Sequence, residues 1–220
     1  MKPAWGRGLG LAGVAAYNWW VIVALGGHLL PGPNALFSDL ESPGRADTHL
    51  LSALDVAAGV LIATGLILRG RRGATGRRPE WPWLLGFAVA GAIGGLFPYT
   101  CAEGLSTACR SAEWHLHLPT RHYVHVVSGI AEFGCVTVAV WLARRRSAGG
   151  RDPFARTAAA VAWGLLVAYP LLGASYLTDR LGALVEPIFF VCFSAMVLAE
   201  LYEPAAALAG AGAEEPSGHP

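Results

Sequence analysis

The chain has 220 residues, of which 54% are hydrophobic and 14% charged, with a formal net charge of +1. Ordinary soluble domains carry roughly 25% charged residues, so this composition excludes a conventional water-soluble fold. The near-neutral balance also gives no basis for nucleic-acid binding.

The charges are segregated, leaving six nearly uncharged stretches of about 20 residues, the length that crosses a hydrocarbon core about 30 Å thick. The first predicted span, Gly8 to Leu30, follows Lys2 and Arg7. It is longer than the apolar core of a cleaved leader, about 7 to 15 residues, so it is expected to remain as a membrane helix. The second is Leu50 to Leu68, interrupted by Asp55, and the third is Trp81 to Ala102. The fourth, His122 to Ala143, contains Glu132; the fifth is Thr157 to Leu177, and the sixth, Leu181 to Leu201, holds Glu186 near its start. Backbone polar groups cannot go unpaired in lipid, so such spans are helices and the expected fold is all-α. Gly91 and Gly95 form a G-x-x-x-G pair suited to close helix packing. Pro170 and Pro187 are expected to kink or begin their helices.

Counting Lys and Arg in the connections gives an orientation. Twelve lie on one side, in the amino end and in the two connections around residues 69–78 and 144–156; only Arg45, Arg110, Arg121 and Arg180 lie on the other. The positive-inside rule then places both termini in the cytoplasm, with three hairpins opening outward. Residues 1–203 form the expected six-helix transmembrane domain, and the Ala, Gly, Pro and Glu-rich residues 204–220 a disordered cytoplasmic tail. Cys101 and Cys109 fall in the connection assigned to the outside, where a disulfide would persist, two free thiols being the alternative. Cys135 and Cys192 read as apolar packing residues inside helices.

Six of the seven histidines fall at outer helix ends or in outer loops, and the ionisable groups inside the spans sharpen that bias. An acid in hydrocarbon costs at least about 2.5 to 3.5 kcal/mol and normally faces the bundle or a wet cavity. In the fourth span His125, Ser128, Gly129 and Glu132 are spaced i, i+3, i+4 and i+7, one helical face descending from the outer surface towards the midplane. Glu132 is expected to be protonated at neutral pH, or paired by a hydrogen bond with Ser128 or a group on a neighbouring helix. His49, Ser52 and Asp55 make a shorter version in the second span, and His49-Leu-Leu-Ser52 echoes His125-Val-Val-Ser128. Asp55, His125 and Glu186 are expected to share one outward pocket. His122 and His125, three apart, are candidate ligands for a divalent metal such as zinc, against the plainer reading of hydrogen-bonded histidines that fix packing. Ser52 and Ser128 lack a nucleophile-elbow context, so back-bonding or interhelical hydrogen bonding is their plainer role.

Three segments resemble a known family. They are Asn34 to Glu41 (NALFSDLE), the run Gly94-Gly95-Leu96-Phe97-Pro98-Tyr99-Thr100-Cys101, and the stretch beginning at His122 and reading HYVHVVSG. Together they resemble actinobacterial members of the uncharacterised integral-membrane family called domain of unknown function 998. The resemblance spans nearly the whole chain and implies the six-span layout without an activity.

The expected function is that of a multi-pass bacterial inner-membrane protein with an outward polar pocket. It would have a binding or accessory role towards a lipid or cell-envelope component, with His49, Ser52, Asp55, His125, Ser128, Glu132 and Glu186 as binding residues. A metal- or His/acid-dependent hydrolase or transferase is the alternative, drawing on His122, His125, Asp55, Glu132 and Glu186. A proton-coupled carrier using Glu132 is a third reading.

Overall fold

The computed structural model describes residues 2–21, 36–45, 47–70, 78–146, 153–178 and 182–202. The carboxyl-terminal part of the first predicted span, with His28, and the tail at 204–220 lie outside the described residues. Among the described residues there are seven α-helices and no strand. These are α1 (Lys2–Tyr17), α2 (Thr48–Gly70), α3 (Trp81–Leu96), α4 (Thr107–Trp114), α5 (Thr120–Arg146), α6 (Pro153–Thr178) and α7 (Gly182–Tyr202), with a 3₁₀ turn at Phe37–Glu41. Four of them, α2, α5, α6 and α7, are long and apolar enough to cross a membrane; α3 is apolar but shorter.

The long helices pack in chain order, α1 on α2, α2 on α3, α3 on α5, α5 on α6 and α6 on α7, and α7 returns to α1. The long helices therefore close into a ring in which sequence neighbours pack side by side. Glycine permits close backbone approach: a Cβ on Gly65 of α2 would sit 2.8 Å from the backbone of Gly10 on α1.

One end of the ring is rich in arginine. Glu80, fully buried before α3, accepts from Arg146 of α5 at 2.6 Å, and Glu200 of α7 pairs with Arg78 at 3.0 Å. Arg69 donates to the Glu200 carbonyl, and Arg7 and Arg146 stand over the rings of Tyr202 and Phe154. The apolar core fills this half with Leu66, Leu84, Val140, Phe193, Met196 and Leu201.

The opposite end is closed by the Cys101–Cys109 disulfide, whose Cα atoms are 6.0 Å apart. It ties the segment after α3 to α4, a helix capped by the Ser106 hydroxyl accepting from the Cys109 amide. A search for apolar spans passes over α4 because it is short and polar.

Two helices depart from the predicted spans for local reasons. The first ends at Tyr17, where the Asn18 amide side chain donates to the Val14 carbonyl at 2.8 Å and to Ser194 of α7 at 2.7 Å. The Val14 carbonyl accepts the Asn18 backbone amide as well, at 3.1 Å, and Trp19 is buried in the turn that follows. The third stops at Leu96 rather than Ala102, because Pro98 disfavours helical geometry at Phe97. Pro170 and Pro187 sit inside α6 and α7 rather than beginning them.

Candidate functional site

Between the apolar core and the disulfide end lies a chamber of about 530 Å³. Asp55, His125, Ser128, Glu132 and Glu186 all line it, together with Glu41. No lysine or arginine stands among its described lining residues.

Helical phase puts His125, Ser128 and Glu132 on the α5 face turned to the chamber. Gly91 of α3 leaves room for Glu132: a Cβ there would lie 3.5 Å from the Glu132 carboxyl oxygen. The Glu132 partner is the Tyr17 hydroxyl of α1 and not Ser128, whose hydroxyl donates to the His125 carbonyl at 2.8 Å. The other glycine of the G-x-x-x-G pair, Gly95, abuts the α2 backbone at Ser52, so the two glycines do different work.

Across the chamber the indole of Trp19 donates to Asp55 at 2.8 Å. Asp55 also shares a hydrogen bond with Glu41, which accepts from Ser52 at 3.1 Å. Glu41 belongs to the 3₁₀ turn, and burial, together with neighbouring Asp55, pushes its carboxyl well above the usual range. Glu186 accepts from the Phe37 and Ser38 amides of the same turn. Asp39 accepts from the Leu36 and Gly104 amides, and burial outweighs these bonds and the nearby Arg45 and Arg110 to raise its carboxyl too. The turn thus roofs the chamber, fixed at both ends by carboxylates.

The two histidines of α5 hold opposite tautomers. The Thr100 amide donates to His122 Nδ1 at 3.3 Å, so His122 Nε2–H donates to Glu113 at 2.9 Å. In His125 the Nδ1–H donates to the Gly94 and Phe97 carbonyls at 3.0 and 3.2 Å, which leaves a lone pair on Nε2. The His125 ring is 8% exposed and packs on Tyr99 with centroids 3.9 Å apart.

In this geometry the two histidines do not meet as a pair. Both His122 nitrogens are committed and His122 does not line the chamber, so the pair does not form a shared coordination set. Among the described residues no group of three or more His, Cys, Asp or Glu is placed to hold a metal ion. His49 is exposed at the start of α2 and stands outside the chamber, so the echo between His49-Leu-Leu-Ser52 and His125-Val-Val-Ser128 is not a structural equivalence. Ser52 reaches the site only through Glu41.

A second acidic cluster sits beside His122. Glu103 is buried, hydrogen-bonded to Tyr176, and pushed up to about 7 by that burial and by the charge of Glu113.

The segments FSDLE, GGLFPYTC and HYVHVVSG therefore converge. The first roofs the chamber, the second supplies the carbonyls that fix His125, and the third supplies His125 and Ser128. Residues 11–201 match the family described as Protein of unknown function (DUF998). The chain belongs to the DUF998 family. No curated protein and no solved structure matches the chain. In this DUF998 chain the sequence reading missed Glu41, Trp19, Tyr17 and Tyr99. A buried acid in a connection and aromatics beside a helix break have no periodicity to betray them.

Proposed function

We propose that this DUF998 protein is a multi-pass membrane protein of the bacterial inner membrane, with six spans, both termini cytoplasmic and the disulfide end outward, and that its chamber binds a lipid or cell-envelope component in a binding or accessory role. The twelve-to-four split of basic residues supports the orientation. The observation that carries the binding role is the chamber itself, with four carboxyl side chains and His125 on its walls. A pocket of this size with a few convergent polar groups on an apolar lining is the usual form of a small-ligand site.

Native mass spectrometry of the protein extracted from its own membrane tests this. The wild type should retain an organic adduct of lipid size, and Gly91→Phe, which fills the space beside Glu132, should lose it. Wild-type protein that comes out bare would count against the reading.

A second reading, a His/acid-assisted hydrolase or transferase, draws on one observation. The Nε2 lone pair of His125 lines the same chamber as Asp55 and Glu132, where it has the form of a general base. Proton transfer from a bound hydroxyl or water to Nε2 would be its step.

A further inference from the structure

The chamber is rich in acceptors and poor in donors. Glu41, Asp55, Glu132 and Glu186 bring carboxyl oxygens to it, and the His125 Nε2 lone pair has no protein partner among the described residues. Several of the side-chain donors on the walls are already used. Trp19 donates to Asp55, the Tyr17 hydroxyl meets Glu132, Tyr176 meets Glu103, and Tyr169 donates to the Phe133 carbonyl. A ligand that satisfies such walls supplies N–H or O–H donors and positive charge, because carboxylates in a low-dielectric site need a cation. A phosphate would find no lysine or arginine among the described walls.

The same chamber reaches the flank of the bundle between α5 and α6. Ile130 lines it while 67% exposed, and exposed Tyr169 and Tyr176 line it from α6. A Cβ built on Gly129 or Gly134 of α5, or on Gly173 of α6, meets nothing within 4 Å. In a membrane this flank faces acyl chains, so a head group can enter sideways while its tail stays in lipid.

Building on the binding role proposed above, we propose that the chamber takes the ammonium head of a single- or double-chain amphiphile, admitted laterally between α5 and α6. The ammonium N–H groups donate to the chamber's carboxyls, Glu132 and Glu186 among them, and the alkyl chain leaves past Ile130 and Gly134.

The test uses the full chain in neutral maltoside micelles, with adducts counted by native mass spectrometry at equal mole fractions of dodecylamine, dodecanol and dodecyl sulfate. Dodecylamine should bind one per chain and outcompete dodecanol by roughly ten-fold or more, the worth of a charge-assisted hydrogen bond. Dodecyl sulfate should not bind. Glu132→Gln/Glu186→Gln should erase the preference for the amine over the alcohol, and Gly134→Phe, placed in open space, should reduce uptake of both. Ethylamine should bind far more weakly than dodecylamine.

Equal retention of amine and alcohol in the wild type, both sensitive to Gly134→Phe, would overturn the cation and leave the binding role standing. Ethylamine binding as well as dodecylamine would overturn the amphiphile and lateral entry, assigning the site to a soluble cation. No saturable adduct of any probe would overturn both this inference and the reading beneath it. The wild-type competition decides the charge preference even if a variant fails to fold.

Discussion

The Trp19 indole N–H donates to Asp55 at 2.8 Å, which joins the break after α1 to the middle of the acidic wall on α2. Trp19 is 2% exposed and its ring lies edge-on to Phe37 and Phe190, so the donor sits inside an aromatic cluster at the chamber wall. Trp19→Phe keeps most of the packing and removes the donor. The expected loss is about 1–3 kcal/mol, the cost of stripping one partner from a buried polar group. Asp55→Ala in the Trp19→Phe background should cost less than Asp55→Ala alone, because the shared bond is already gone. Additive melting shifts in detergent would mean that the two residues act independently.

The arginine end holds a buried ion pair whose partners respond unequally to substitution. Glu80 is fully buried and accepts from both Nε and Nη2 of Arg146, at 3.0 and 2.6 Å. Arg146→Met leaves a buried carboxylate without its cation and should cost roughly 3–5 kcal/mol, while Glu80→Leu/Arg146→Met should recover much of that loss. Folded yield by fluorescence-detected gel filtration gives the order. A double variant worse than Arg146→Met would refute the desolvation argument.

Much of this frame is legible in the sequence because membrane helices obey a single constraint. Length and absence of charge mark α2, α5, α6 and α7 to within a few residues, and the i, i+3, i+4, i+7 stripe correctly aligns His125, Ser128 and Glu132. The misplaced features depend on local chemistry or on tertiary closure. Asn18 ends α1 through its own side chain, and Pro98 acts one residue upstream to shorten α3. His122 and His125 look alike as a pair until Thr100 and Gly94, neighbours only in space, assign them opposite tautomers. Glu41 becomes part of the site only because the 3₁₀ turn folds back over α2.

Glu103 gives a pH dependence with a definite sign. Its folded value of about 7 lies above the ordinary 4.5, so the native state binds the proton more tightly than the unfolded chain. That contribution is fully present below about 4.5 and is lost as pH rises through about 7. The melting temperature of the wild type should therefore fall across this window more than that of Glu103→Gln, which carries a permanently neutral amide. Asp39 and Glu41 act in the same direction in both proteins, so the difference isolates Glu103. Parallel pH profiles would show that its environment does not distinguish the two charge states.

The disulfide should stabilise the site as well as the fold. Cys101 and Cys109 are eight residues apart, and a loop this short is worth roughly 2–3 kcal/mol in chain entropy. Tyr99 and Thr100, which immediately precede Cys101, pack on His125 and bond His122. Cys101→Ser/Cys109→Ser should lower the melting temperature and also speed deuterium exchange in residues 97–100. Faster exchange confined to α4, with residues 97–100 unchanged, would show that the bridge does not brace the histidines.

Glu132 tests whether the chamber tolerates charge at depth. Its partner is a neutral Tyr17 hydroxyl from another helix, and no lysine or arginine stands among the described lining residues to offset a carboxylate. Gly91 provides the space beside it, so an isosteric amide fits without repacking. Glu132→Gln should insert and fold at wild-type yield, because the amide can still accept from Tyr17. Glu132→Lys brings a cation into a space that fits a side chain one atom shorter. It also carries the cost of an intramembrane charge, at least about 2.5 to 3.5 kcal/mol, unless Asp55 or Glu186 can reach it. Membrane-inserted yield of the two variants, measured by carboxyl-terminal fluorescence, separates the cases. A Gln variant as damaged as the Lys variant would mean that Glu132 works as an ionised group whose cation lies beyond Tyr17 and the chamber walls.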